Sequence, residues 1–188
     1  MIWRVRHLPD NYFVIILSVI IGLGAGLSTY LLTSFFTISS QNILYVLYPG
    51  IGIAFAVVLI RYVIKDSSNH GIPRILFVIS RLDGKMKRHK FFSSLFGSSF
   101  TAAFGGSIGL ESPIISAGAS IGSGLGQMLR LNYKHITLLI GCGAAGAMAS
   151  IFTTPIAAVI FSLEVLMLDL TTISIIPLLI ASVTGAIT

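Results

Sequence analysis

The stretch that decides the fold is Gly105-Gly106-Ser107-Ile108-Gly109-Leu110-Glu111-Ser112-Pro113. It breaks one apolar run, residues 91–103, and opens another that reaches about residue 129. Proline is at home in a first helical turn, where the N–H it lacks would have no partner anyway. A helix is therefore expected to begin near Glu111. That residue is the only acid between Asp83 and Glu164, and it stands where the apolar chain is interrupted.

The rest of the sequence says what surrounds this break. Of 188 residues, 55% are hydrophobic and 10% charged, where soluble domains carry about 25% charged residues. The mean hydropathy is +0.96. A soluble fold of this length could not hide so much apolar surface, so lipid is the expected solvent. The length allows one domain, or half of a larger one. The net charge of +6 arises from 12 Lys and Arg against 6 Asp and Glu. The basic residues fall in short clusters between apolar stretches, as in cytoplasmic loops. No aromatic-basic interleaving points to nucleic acid. Cys142 is the single cysteine; alone it forms no internal disulfide and no metal site, and it reads as a small residue packed in a helix. Arg4 and Arg6 precede an uncharged stretch, residues 11–60. That is too long for the core of a signal peptide and reads as retained membrane spans.

A spanning helix needs about 20 residues. Residues 12–38 form one such span. Tyr48-Pro49-Gly50 is a turn signal, and residues 51–63 continue as a second apolar segment. Residues 66–71 are polar, and Pro73 suits the first turn of a short helix over 72–80. Residues 81–90 form a basic loop. Beyond Arg130 and Lys134, apolar segments are expected at 135–151, 155–168 and 173–188. The clusters Arg4/Arg6, Arg61/Lys65, Arg81–Lys90 and Arg130/Lys134 would all be cytoplasmic. Segments between consecutive clusters must then enter the membrane and return. The stretches 66–80 and 91–129 can do so as re-entrant pieces broken near His70-Gly71 and Gly109–Pro113. Such breaks are tolerated only inside protein or beside a watery cavity, and they mark ion or substrate sites.

A helix start carries free N–H groups and about half a positive charge. Two starts pointing at a common region make an anion site without a full cation. Glu111 at one of them has two readings. It is a helix cap favoured by the dipole, or it is a gate that occupies the anion site until protonated or displaced. An intramembrane carboxylate favours the second.

Three motifs now carry a family resemblance. Asn69-His70-Gly71-Ile72-Pro73, Gly109-Leu110-Glu111-Ser112-Pro113, and the run from Gly141 to Glu164 with Thr153-Thr154-Pro155-Ile156-Ala157-Ala158 resemble, in order and rough spacing, those of the CLC chloride channels and chloride–proton antiporters. The resemblance covers about residues 12–188. It implies an all-α integral membrane fold of spanning and broken re-entrant helices. Residues 1–188 would be a single transmembrane domain matching the first of the family's two inverted repeats. It implies voltage-gated-chloride-channel-type anion transport rather than catalysis, with Glu111 as gate. His70, Gly71, Ile72, Pro73, Gly109, Leu110 and Ser112 would form the anion-binding loops. No cofactor or metal is implied, only chloride or another small anion. A homodimer in a bacterial or archaeal cytoplasmic membrane is the expectation, with residues 135–168 contributing to the interface.

The departures are informative. His70 stands where the family often has serine, Leu110 where it has arginine or lysine, and Ser112 where it has glycine. Val165 replaces the inner acid of many exchangers, while Glu164 before it is retained and offers an inner proton step. Channel-like or loosely coupled transport is therefore expected. Chloride, fluoride and nitrate stay open as the ion. Nothing resembles the second repeat. A non-conducting assembly subunit, or a fragment that needs a second-repeat partner, is the alternative. Gly141-Cys142-Gly143-Ala144-Ala145-Gly146 also fits a nucleotide-binding turn after strand-like residues 137–140. Its surroundings are apolar on nearly all faces, so close helix packing in lipid is the reading adopted.

Overall fold

A computed structural model describes residues 10–40, 58, 72–81, 84, 86, 109, 111–166 and 172–188. The segments 51–63 and 91–103 and the turn at 48–50 lie outside these residues, as do residues 66–71 and most of the basic loop. The described residues form α1 (Asp10–Ser40), α2 (Ile72–Arg81), α3 (Glu111–Met128), α4 (Tyr133–Phe152), α5 (Pro155–Val165) and α6 (Thr172–Ile187). No strand occurs among them. The expected boundaries at 72, 111 and 155 hold, because proline fixes each of those starts.

Glycine sets how these helices pack. A Cβ at Gly118 of α3 would collide with the Gly143 carbonyl of α4, and one at Gly143 with the Gly118 carbonyl. Gly122 meets the Leu139 carbonyl in the same way. The two backbones thus touch, in antiparallel register. In lipid no hydrophobic force separates helix from solvent, so association depends on such close van der Waals approach. A second crossing joins three helices. Gly185 of α6 abuts the Gly146 carbonyl of α4, and a Cβ at Gly146 would lie 3.2 Å from the Gly22 Cα of α1. The pairings Gly22 with Ala181 and Gly26 with Gly185 show that α1 and α6 run in the same direction. The would-be nucleotide turn, residues 141–146, is thus the buried middle of α4.

Several hydroxyls on α1 and α6 satisfy themselves locally, which lets the helix sit in apolar surroundings. Ser18 donates to the Ile15 carbonyl, Ser28 and Thr29 to Ala25, and Ser182 to Leu179. The outward faces are apolar. Ile16, Ile20, Leu23 and Leu27 form an exposed stripe on α1, and Ile176, Leu179, Val183 and Ile187 another on α6. Among the described residues, two helical stretches are long and apolar enough to cross a bilayer, Phe13–Leu31 and Tyr133–Phe152.

The turns reverse the chain tightly. α3 ends in a Schellman motif: Arg130 adopts φ 53°, Leu131 N–H donates to the Gly126 carbonyl and Arg130 N–H to Gln127. α4 ends with Thr153 at φ 52°, extended Thr154, then Pro155 opening α5. α5 folds back on α4, where the Ser162 hydroxyl donates to the Gly141 carbonyl at 3.4 Å.

Gly143→Leu is expected to destabilise the protein by about 1–3 kcal/mol or more, because the added side chain meets backbone that cannot retreat. Gly124→Ala on α3 is the contrast. Its Cβ would meet nothing within 4 Å, so it should be neutral or gain up to about 1 kcal/mol of helix propensity. Thermal unfolding in detergent measures both. Equal melting of the two variants would contradict the close crossing.

Candidate functional site

The site is built on where helices start and end. α2 and α3 are tied together at their C-terminal ends. The Tyr133 hydroxyl, at the start of α4, donates to the Ile79 carbonyl of α2 at 2.9 Å. Gly84 N–H, just past α2, donates to the Val78 carbonyl at 3.0 Å. Gln127, in the last turn of α3, donates to the Met86 carbonyl at 2.8 Å. Arg81, Arg130 and Lys134 are exposed at this same end, so these basic residues share one face of the molecule.

The starts of α2 and α3 therefore both point away from the basic end. At 1.5 Å per residue, α2 rises about 10 Å from Ile79 back to Ile72, and α3 about 24 Å from Gln127 back to Glu111. Along its own axis, α3 therefore leads farther from the basic end than α2 does. Extending the Gly118–Gly143 and Gly122–Leu139 register sets Glu111 beside the last turn of α4. Glu164 lies elsewhere. Ser162 is level with Gly141, and Tyr133 to Gly141 is about 12 Å of helix. Glu164, exposed in the last turn of α5, sits nearer still to the basic end. The two carboxylates thus stand at opposite depths.

Ile72 is the first residue of α2 and half-buried, and Pro73 follows, exposed. Gly109 is exposed ahead of α3. Glu111, the first residue of α3, is exposed, and Ser112 is half-buried. Val165 is half-buried beside Glu164. His70, Gly71 and Leu110 lie outside the described residues. At Glu111 the free N–H groups of the first turn and the helix dipole supply positive potential, and the side chain supplies the negative charge they attract. No group of His, Cys, Asp and Glu able to hold a metal occurs among the described residues.

One set of residues went unread in the sequence. Ser116, Ser120, Ser123 and Gln127 recur at i, i+4, i+7 and i+11, a single face of α3. The Ser123 hydroxyl donates to the Gly84 carbonyl at 2.5 Å and accepts from Met86 N–H at 3.0 Å. Gln127 donates to the same hydroxyl at 2.9 Å. The spacing was available as a signal, but small hydroxyls on a glycine-rich helix read equally well as packing.

Apolar helices packed through glycine, with short ones starting inside the bundle, define a helical membrane fold. The description Voltage gated chloride channel matches residues 52–188, and the chain belongs to that family of integral membrane proteins. It is similar to a "Putative chloride channel protein ClcB-like" of Ralstonia nicotianae (strain ATCC BAA-1114 / GMI1000), 32% identical over 145 residues, which are 75% of this chain and 34% of that protein. Its fold matches that of a slow cyanobacterial Cl-/H+ antiporter with a TM-score of 0.80 at 21% identity, over 96% of this chain and 46% of that one. A CLC-type fluoride/proton antiporter superposes with a TM-score of 0.77 at 29% identity, over 94% of this chain and 46% of that one. The chain spans less than half the length of each of these relatives.

Arg81→Cys and Lys134→Cys should both react with a membrane-impermeant thiol reagent applied from one side, and Thr153→Cys from the other. All three positions are exposed, whereas native Cys142 is buried and should stay silent in the folded protein. Labelling of Arg81→Cys and Lys134→Cys from opposite sides would contradict the shared basic end.

Proposed function

We propose that this chain forms the first half of an anion pathway, single-domain over residues 1–188, with Glu111 as its gate. The observation that carries the reading is the position of Glu111. It is the first residue of a helix whose other end is anchored at the basic face, so its carboxylate competes with a small anion for the same N–H groups. A halide held by partial charges is bound yet leaves readily. Helix starts repel cations, so the transported ion is an anion. Residues His70 to Pro73 around the start of α2, and Gly109 to Ser112 around the start of α3, supply the backbone N–H groups, Pro73 alone contributing none.

Glu164 is the candidate for an inner proton step. It lies near the basic end, where a proton from the cytoplasm first meets the bundle. Val165 takes no part in proton transfer, and coupling through Glu164 alone is loose. The exposed apolar stripes on α1 and α6 fit lipid or a second-repeat half that closes the path. The same stripes favour the second reading, an assembly subunit that conducts nothing until that half is bound. A homodimer is the proposed assembly.

Flux of chloride, fluoride and nitrate from liposomes holding the assembled protein tests this. Glu111→Ala should leave flux that no longer responds to pH, or abolish it, while Glu164→Gln should weaken only proton movement. A pH response unchanged in Glu111→Ala would reject the gate. Absence of flux in every assembly, with partner binding retained, would favour the assembly subunit.

A further inference from the structure

The position of α2 rests on very few polar contacts. α2 packs mainly on α3, through Ile75 and Val78 in the apolar core. Apolar contact is non-directional and does not fix how far one helix reaches along another. Hydrogen bonds do: Tyr133 holds the Ile79 carbonyl of α2 directly, and Ser123 and Gln127 hold the segment that follows α2.

Ser123 is fully buried, and its hydroxyl uses its whole capacity. It donates once, to the Gly84 carbonyl, and accepts twice, from Met86 N–H and Gln127 Nε2. The second Nε2 hydrogen of Gln127 goes to the Met86 carbonyl. Both ends of the 84–86 segment are thus held by two side chains one turn apart. Gly84 itself requires glycine twice over. Its φ is +72°, and a Cβ there would lie 2.8 Å from Ile136 Cγ2. Its N–H reaches back to Val78, so what holds Gly84 also holds the end of α2.

We propose that Ser123 and Gln127 are positioning residues of the ion path. They fix how far α2 extends along α3, and hence where the start of α2 sits relative to Glu111. The proposal rests on the anion-path reading above. An anion that passes from the N–H groups of one helix start to those of another is sensitive to their relative placement, since hydrogen bonds weaken steeply as geometry departs from ideal. Ser123 and Gln127 touch no ion; they set the spacing that ions of different size and shape experience.

Two measurements on the assembled protein test this. The first is the spin-label distance between Phe77→Cys on α2 and Met128→Cys on α3, both exposed positions. The second is the nitrate-to-chloride flux ratio in liposomes. Ser123→Ala and Gln127→Leu should each broaden or shift the distance and change the ratio at least about threefold, the scale of one lost hydrogen bond. Ser28→Ala, a buried hydroxyl bonded only within α1, should leave both unchanged. If Ser123→Ala does not fold, half-buried Gln127→Leu decides. Folded variants with unchanged distance overturn the clamp. A changed distance with an unchanged ratio, or flux of all anions reduced equally, overturns the positioning role. Wild-type protein without anion flux defeats the anion path and the selectivity claim with it, while the distance still reports the clamp separately.

Discussion

Contact between the backbones of Gly118 and Gly143 governs the rest of the architecture. Helices in an apolar solvent gain nothing by hiding apolar side chains, so they must gain by touching. A crossing with no side chain between the axes brings whole turns into contact and fixes the register of α3 against α4. That register decides the depth of Glu111. It carries the start of α3 to the far end of α4, while the Schellman turn at Arg130 holds the other end to the basic face. A bulkier residue at either glycine would separate the helices and move the carboxylate as well as loosen the packing.

The same constraint explains the distribution of polar groups. Hydroxyls on α1 and α6 turn inward onto their own carbonyls and cost the helix nothing in lipid. Those on α3 behave differently. Ser123 and Gln127 reach out to a neighbouring segment, because α2 is too short to be held by an extended interface. The bundle thus uses close glycine contact where helices are long and hydrogen bonds where one is short.

Much of this was legible in the sequence for identifiable reasons. Pro73, Pro113 and Pro155 mark helix starts because proline is favoured in a first turn and disfavoured within a helix, and each expected start holds to within a residue or two. The glycine spacing in residues 141–146 was rightly assigned to packing, since an apolar environment on every face leaves no room for a nucleotide. Glu111 was legible because a lone acid in apolar sequence stands out. The stagger between the two helix starts was not. It depends on which ends are tied together, and that information lies in contacts such as Tyr133 with Ile79, 54 residues apart. The clamp was missed for a related reason. Ser123 announces a helix face by its spacing, but its partners at Gly84 and Met86 lie in a loop with no periodicity to read.

The stagger has a consequence for how a carboxylate can gate. With both starts at one level, Glu111 would close the whole anion site each time it swung in. In the anion path proposed above, starts at different levels would leave Glu111 competing for the outer position only. On the positioning proposal, the hydrogen bonds of Ser123 and Gln127 to Gly84 and Met86 would set the offset between the starts, and with it how much of the path the carboxylate can close.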